Sequence, residues 1–234
     1  AYERNYFDSL GERGKTPIFQ LQPMGMAQIE EFLVKYSSNE TVRNTILQAL
    51  QNNENLSKVV ETPLLLKMLI AVVSRHPKEP IPPTETRIVL NFIEGIYQRE
   101  AEKDAGFKPD TLQTLLPILA HQIRMCYQAN VAIPEAEAVK ILKDEAPKWE
   151  IKAALKKAEE LHILVCNPES NRYSYAHELY QEALWAVQQT QYDQYSPEEP
   201  YYKPAIELWQ EPAFAQSLRL YAGLLTGNKR KDFI

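Results

Sequence analysis

The stretch from Leu161 to Ala186, LHILVCNPESNRYSYAHELYQEALWA, decides how this chain folds. A short apolar run, Ile163-Leu164-Val165-Cys166, meets the turn-forming Asn167-Pro168-Glu169-Ser170-Asn171, and the alternating Arg172-Tyr173-Ser174-Tyr175 follows. Two short runs around a Pro/Asn/Ser turn predict a β-hairpin. From His177 the pattern turns helical. With helices on both sides, the outline is that of a winged helix. His177 falls where the second strand gives way to the last helix, a junction from which a side chain can reach a neighbouring lobe.

The flanking sequence supplies the other parts. Leu112, Leu115, Leu116, Leu119 and Ile123 stripe a helix that Pro117 is expected to kink. Pro134 starts another, its Glu135 and Glu137 complementing the helix dipole. Trp149, Ile151, Leu155, Ala158 and Leu161 stripe a third, which runs into the hairpin. Together these predict a winged-helix domain over 107–187. Downstream, Gln188 to Pro204 is polar and rich in tyrosine and proline, the composition of a linker, and Glu207 to Leu225 is helical again. No internal repeat is convincing at solenoid periods, although this last helix suits the start of one.

The N-terminal half is helical as well. Pro17 to Met24 alternates and predicts a short strand, whose partner strands are expected outside this sequence because one strand cannot cover its own edges. Ile29, Phe32, Leu33 and Tyr36 then share a helix face, as do Val42, Ile46, Leu47 and Leu50, before Asn52-Asn53-Glu54-Asn55 breaks the pattern. Thr62-Pro63 opens the next helix, with threonine suited to the cap and proline to the first turn. Leucines and valines from Leu64 to Val73 leave that helix apolar on nearly all sides, which predicts central burial. Ile88, Val89, Phe92, Ile93, Ile96 and Tyr97 stripe its successor, and the charged Glu100 to Asp110 marks a subdomain boundary. The expected fold is therefore mainly α: a helical domain over 39–106 followed by a winged-helix domain with one small β-hairpin.

Composition narrows the function. The 234 residues carry a net charge of −5, which argues against coating nucleic acid, since phosphate binding needs a basic surface. No apolar stretch approaches the about 20 residues of a membrane span, and Ala1-Tyr2-Glu3-Arg4 leads into polar sequence and not the basic start and apolar run of a signal peptide, so a cytoplasmic setting is expected. Two cysteines, Cys126 and Cys166, make neither a metal site nor a disulfide framework. The absence of an initiator Met suggests a piece of a longer chain.

The segment Tyr175-Ala-His177-Glu-Leu-Tyr-Gln181-Glu182-Ala-Leu-Trp-Ala186 resembles the aromatic-x-His-x-x-x-Gln-Glu-x-x-x-Ala signature of NACHT-type STAND NTPases. These signal-transducing ATPases include animal inflammasome receptors and many bacterial defence proteins. Val59-Val60-Glu61-Thr62-Pro63-Leu64-Leu65-Leu66 is similar to the opening of their first helical domain, and Ile18 to Tyr36 to the end of their nucleotide-binding core. Ile81-Pro-Pro-Thr-Glu-Thr-Arg87 resembles the connection before the next helix, and Trp209 through Leu225 the first of the repeats that follow. The motifs occur in the family's order along nearly the whole chain.

The resemblance implies a division into the end of the nucleotide-binding domain (1–38), the helical domain, the winged helix, and a linker with the first repeat helix (188–234). It implies ADP/ATP as the cofactor, with Pro63 packing against adenine and His177 hydrogen-bonding the ADP β-phosphate. The implied role is a nucleotide-state switch and autoinhibitory latch. The implied partners are a nucleotide-binding core, an effector domain and further copies upon activation. Departures are equally informative. Thr62 and Tyr175 replace the usual Asn or Gly and the usual Phe. No Gly-x-x-x-x-Gly-Lys-Ser/Thr occurs, and no apolar strand ends in paired acids. The phosphate cradle and Mg²⁺ carboxylates are thus missing, so no catalytic or metal residue is assigned here, and only the parent protein is expected to be a slow ATPase.

Blander readings compete. His177 alone would more often be a core histidine, and Pro63 only a first-turn proline. His76, His121 and His162 lack metal-ligand spacing, and the acidic pairs read as solvated faces. A winged helix also suggests DNA binding, yet Lys148, Lys152, Lys156 and Lys157 are offset by Glu150, Glu159 and Glu160. A purely structural helical scaffold is the remaining alternative.

Overall fold

A computed structural model describes residues 22–127, 131–195 and 203–225. The first helices are α1 (Met26–Tyr36), α2 (Glu40–Asn52), α3 (Glu54–Val59), α4 (Pro63–Arg75) and α5 (Glu85–Lys103). Then come α6 (Pro109–Tyr127), β1 (Ile133–Pro134), α7 (Glu135–Glu145), α8 (Ile151–Glu160), β2 (Leu164–Asn167) and β3 (Arg172–Tyr175). The chain closes with α9 (Glu178–Tyr195), α10 (Ala205–Leu208), a 3₁₀ turn (Pro212–Phe214) and α11 (Ala215–Ala222). The protein is mainly α-helical with one small antiparallel sheet, in agreement with the expected class. Among the described residues no helix is long and apolar enough to cross a membrane.

The helical half is organised by α4. Pro63 starts it, supplying a preset φ where the missing N–H costs nothing. Leu66 and Leu69 are fully buried and Met68 nearly so, between α1 and α2 on one side and α5 on the other. Truncating such a leucine costs about 2–5 kcal/mol. Asn39 and Asn53 cap α2 and α3 through their side-chain oxygens, Asn53 accepting from Leu56 N–H at 3.1 Å. Helix α3 was not expected: Asn52 to Asn55, read as a break, is a cap followed by another turn of helix. Thr62 occupies the cap position of α4, but its side chain makes no capping bond. The strand expected over Pro17 to Met24 lies mostly outside the described residues; residues 22–24 form no strand, and Met24 N–H bonds the Glu61 carbonyl at 2.9 Å.

From α6 onward the order helix, strand, helix, helix, strand, strand, with β3 central in the sheet, is the winged-helix arrangement. The hairpin is present: Leu164 pairs with Tyr175 and Asn167 with Arg172. Asn167 Oδ1 closes the turn by accepting from Glu169 N–H (2.9 Å) and Ser170 N–H (3.1 Å). A third strand was missed because two residues show no periodicity. Ile133 and Pro134 pair with Tyr173 and Arg172 at the sheet edge, where proline's missing N–H is tolerated. Helix α6 runs unbroken through Pro117.

The C-terminal segment docks back on both halves. The polar run after Gln188, read as linker, is helix through Tyr195, and the helix expected over Glu207 to Leu225 is instead broken into α10, the 3₁₀ turn and α11 at Pro212. Thr86 Oγ1 donates to the Leu220 carbonyl at 2.6 Å, and Thr84 Oγ1 donates to the Gly223 carbonyl at 3.3 Å. A Cβ at position 223 would stand 2.5 Å from Thr86 Oγ1 and 3.2 Å from the Leu220 carbonyl oxygen. Gly223→Ala is therefore expected to lower stability by roughly 1–3 kcal/mol in urea denaturation, through loss of the Thr86 bond. A midpoint identical to wild type would show that this contact does not hold α11 down.

Candidate functional site

His177 lies in the two-residue connection between β3 and α9, immediately before the helix. Its Nδ1 accepts the Leu179 N–H at 3.1 Å, and its carbonyl accepts from Tyr180 N–H at 3.0 Å. A neutral imidazole that accepts at Nδ1 carries its proton on Nε2, so the outer nitrogen is a donor. The residue is exposed, so the core-histidine reading is set aside. The aromatic residue two positions earlier anchors this junction from below. Tyr175 is buried, and its hydroxyl donates to the Leu116 carbonyl at 2.6 Å. The hydroxyl that distinguishes it from phenylalanine thus has a partner.

Pro63 stands exposed at the first position of α4. A cavity of about 430 Å³ joins this helix start to His177: Thr62, Leu64 and Leu65 line one side, and His177, Leu179 and Glu182 the other. Glu85, Glu178 and Gln216 complete the lining. Pro63 itself is not among the lining residues, although both its neighbours are. The structure therefore brings His177 and the α4 start together, with Pro63 itself outside the lining.

The electrostatics of this cavity were not legible beforehand. Glu182 is 2% exposed and lies 3.5 Å from Nη2 of Arg124, which is 4% exposed. The same guanidinium donates to the Ala213 carbonyl and lies over the Phe214 ring, tying α6 and α9 to the C-terminal segment. Burial pushes the Glu182 carboxyl up to about 7 against the opposing pull of Arg124. Glu85, at the start of α5, pairs with Arg219 at 2.6 Å and accepts a long bond from Gln216 Nε2 at 3.5 Å. Burial raises its carboxyl too, with Arg219 opposing. The lining thus holds one imidazole and three carboxylates, while both arginines pair with carboxylates without lining the cavity. Only a Glu opening α5 and a Gln-Glu pair early in α9 hinted at this in the sequence.

The remaining candidates have structural roles. His121 is buried, its Nε2 donating to Gln189 Oε1 at 2.9 Å, and burial lowers it to about 4, so the ring is neutral. Among the described residues no group of three or more His, Cys, Asp or Glu is arranged to hold a metal ion. On α8, the helix that would read DNA, Lys157 pairs with Glu100 (2.6 Å) and Glu160 (3.5 Å), and Lys152 with Glu135 (3.4 Å). Those lysines are already neutralised, which weighs against phosphate binding there.

Comparisons with protein-family models, with curated proteins and with solved structures return no match for this chain. What the fold defines is a mainly helical protein that packs a winged helix against a helical bundle.

Glu182 holds its proton more tightly folded than unfolded, since its ordinary value is 4.5. Its contribution to stability is therefore complete below about 4.5 and is lost as pH rises through about 7. In urea melts from about pH 5 to about pH 8, wild type is expected to lose stability relative to Glu182→Gln. Parallel stability curves for the two proteins would overturn this assignment.

Proposed function

We propose that this chain is the nucleotide-state latch of a NACHT-type STAND NTPase, with ADP as the closing ligand and ATP as the releasing one. The observation that carries the reading is the cavity shared by His177 and the start of α4, two segments far apart in sequence that resemble the family's two nucleotide-contacting motifs. In this reading adenine packs on the exposed ring of Pro63. The Nε2–H of His177 donates to the β-phosphate, and its Nδ1 stays occupied by the α9 backbone.

The cavity lining offers a phosphate no lysine or arginine, and the Glu85 and Glu182 carboxyls are already paired with Arg219 and Arg124. The nucleotide then needs Mg²⁺ together with a phosphate-cradling loop and its lysine, neither of which occurs in this sequence. ADP bridging that core to His177 holds the lobes closed. The additional charge of ATP, facing Glu178, favours the open state, a two-state element biased by its ligand. Opening frees the parent protein to oligomerise and signal through an effector domain in the cytoplasm, with defence as one setting, while its ATPase activity stays slow.

The test uses the full-length gene product, in which a strand–Gly-x-x-x-x-Gly-Lys-Ser/Thr–helix unit is expected upstream of Ala1. Asparagine caps helices well, so His177→Asn keeps a cap for α9 while removing the donor, and His177→Ala removes both. Both variants are expected to release ADP about tenfold more readily on heat-extraction and chromatography of the purified protein, and to oligomerise without a trigger. Full ADP occupancy and an unchanged resting state in both would remove the latch reading, as would an upstream region without that loop.

A further inference from the structure

A smaller cavity lies away from His177, between the C-terminal end of α4 and the middle of α5. Its polar lining consists of Arg75, His76, Asn91 and Arg99, and Phe92 forms part of the apolar wall. Arg75 Nη1 and Arg99 Nε both donate to one acceptor, the Gly95 carbonyl, the latter at 3.3 Å. Arg75 also reaches Gln98 Oε1 at 3.5 Å. Among the described residues neither guanidinium pairs with a carboxylate. His76 Nδ1 pairs with Glu79 at 3.3 Å.

Two like charges drawn to one carbonyl oxygen repel each other, and an oxyanion between them removes that repulsion. The planar fork of arginine matches a tetrahedral oxyanion with two parallel N–H donors. Two larger cavities are differently charged. Three carboxylates line the one at His177, and the one beside Trp209, of about 590 Å³, sets Glu85 against Arg219. The α4–α5 cavity combines guanidinium groups with no acid in its lining. Its volume of about 80 Å³ is small beside the about 430 Å³ of the cavity at His177, a size that suits a phosphoryl group.

We propose that Arg75 and Arg99 form a binding site for a phosphoryl oxyanion, either free inorganic phosphate or a phosphomonoester. The site stands independently of the latch reading. It abuts the contact that carries His177: the Phe92 ring stacks on Tyr180 at 6.3 Å, and Tyr180 lies 6.0 Å from the His177 ring.

The experiment titrates the chain with inorganic phosphate, phenyl phosphate and chloride at constant ionic strength, following arginine Nε–Hε resonances and heats of binding. A saturable response to phosphate at two arginine signals, absent with chloride, is expected. Arg99→Gln should weaken it about tenfold without altering the melting temperature, because Arg99 is exposed and its loss leaves the packing intact. Arg75→Gln should weaken it as well, and circular dichroism checks its fold. Tighter binding of phenyl phosphate assigns the site to a phosphomonoester, and equal or weaker binding assigns it to free phosphate. A linear response shared with chloride, or an Arg99→Gln protein that binds phosphate as wild type does, would overturn the proposal.

Discussion

Everything in this molecule leans on the burial of α9. Trp185, Ala183 and Ala186 are fully buried, as is Gln189, while Glu182 and Gln188 are nearly so. Polar side chains buried on this helix favour partners, because burying them unpaired is costly, and Glu182 and Gln189 have them although the Gln181 amide makes no hydrogen bond. Those partners decide what surrounds α9. Arg124 of α6 answers Glu182, and His121 of α6 answers Gln189. The Gln189 amide nitrogen also donates to Asp193 Oδ1 and to the Lys203 carbonyl, both at 3.0 Å, which draws the returning chain back against the helix.

The candidate site follows from the same constraint. Because α9 is pinned along its length, the residue immediately before it is held at a set place, and that residue is His177. The helix that brings Pro63 is pinned as well, by the leucines of α4. The cavity between them is therefore a gap between two packed elements, lined also by Glu85 from α5 and Gln216 from α11. Three parts of the chain meet there, and the charged pairs Arg124–Glu182 and Arg219–Glu85 link them. Removing one member of a buried pair leaves the other uncompensated, so the junction is stable as assembled and sensitive to any ligand that perturbs its charge.

Strongly patterned segments were legible from the chain alone: the stripes of α1, α2, α5 and α6, the apolar α4, and the hairpin with its Asn/Pro turn. What escaped had a weak or misleading local signal. Helix α3 hides behind asparagines that turn out to be caps, and β1 is too short to alternate. The polar second half of α9 resembles a linker in composition, yet Gln188 and Gln189 are buried, and Gln189 bonds His121 and the Lys203 carbonyl from other segments. Gln181 and Glu182 were visible as part of a motif, but not as one fully buried amide and one raised carboxyl.

The sequence by itself determined the elements and their kind, because periodicity, caps and turn residues act over a few positions. It also singled out His177 and Pro63 as residues to watch. Only the tertiary structure decided that His177 faces outward with Nδ1 occupied, that three carboxylates share its cavity, and that two arginines converge on Gly95. Those facts depend on distances between segments remote in the chain or on how side chains turn once packed, and electrostatics follow spatial distance and burial, neither of which a linear sequence records.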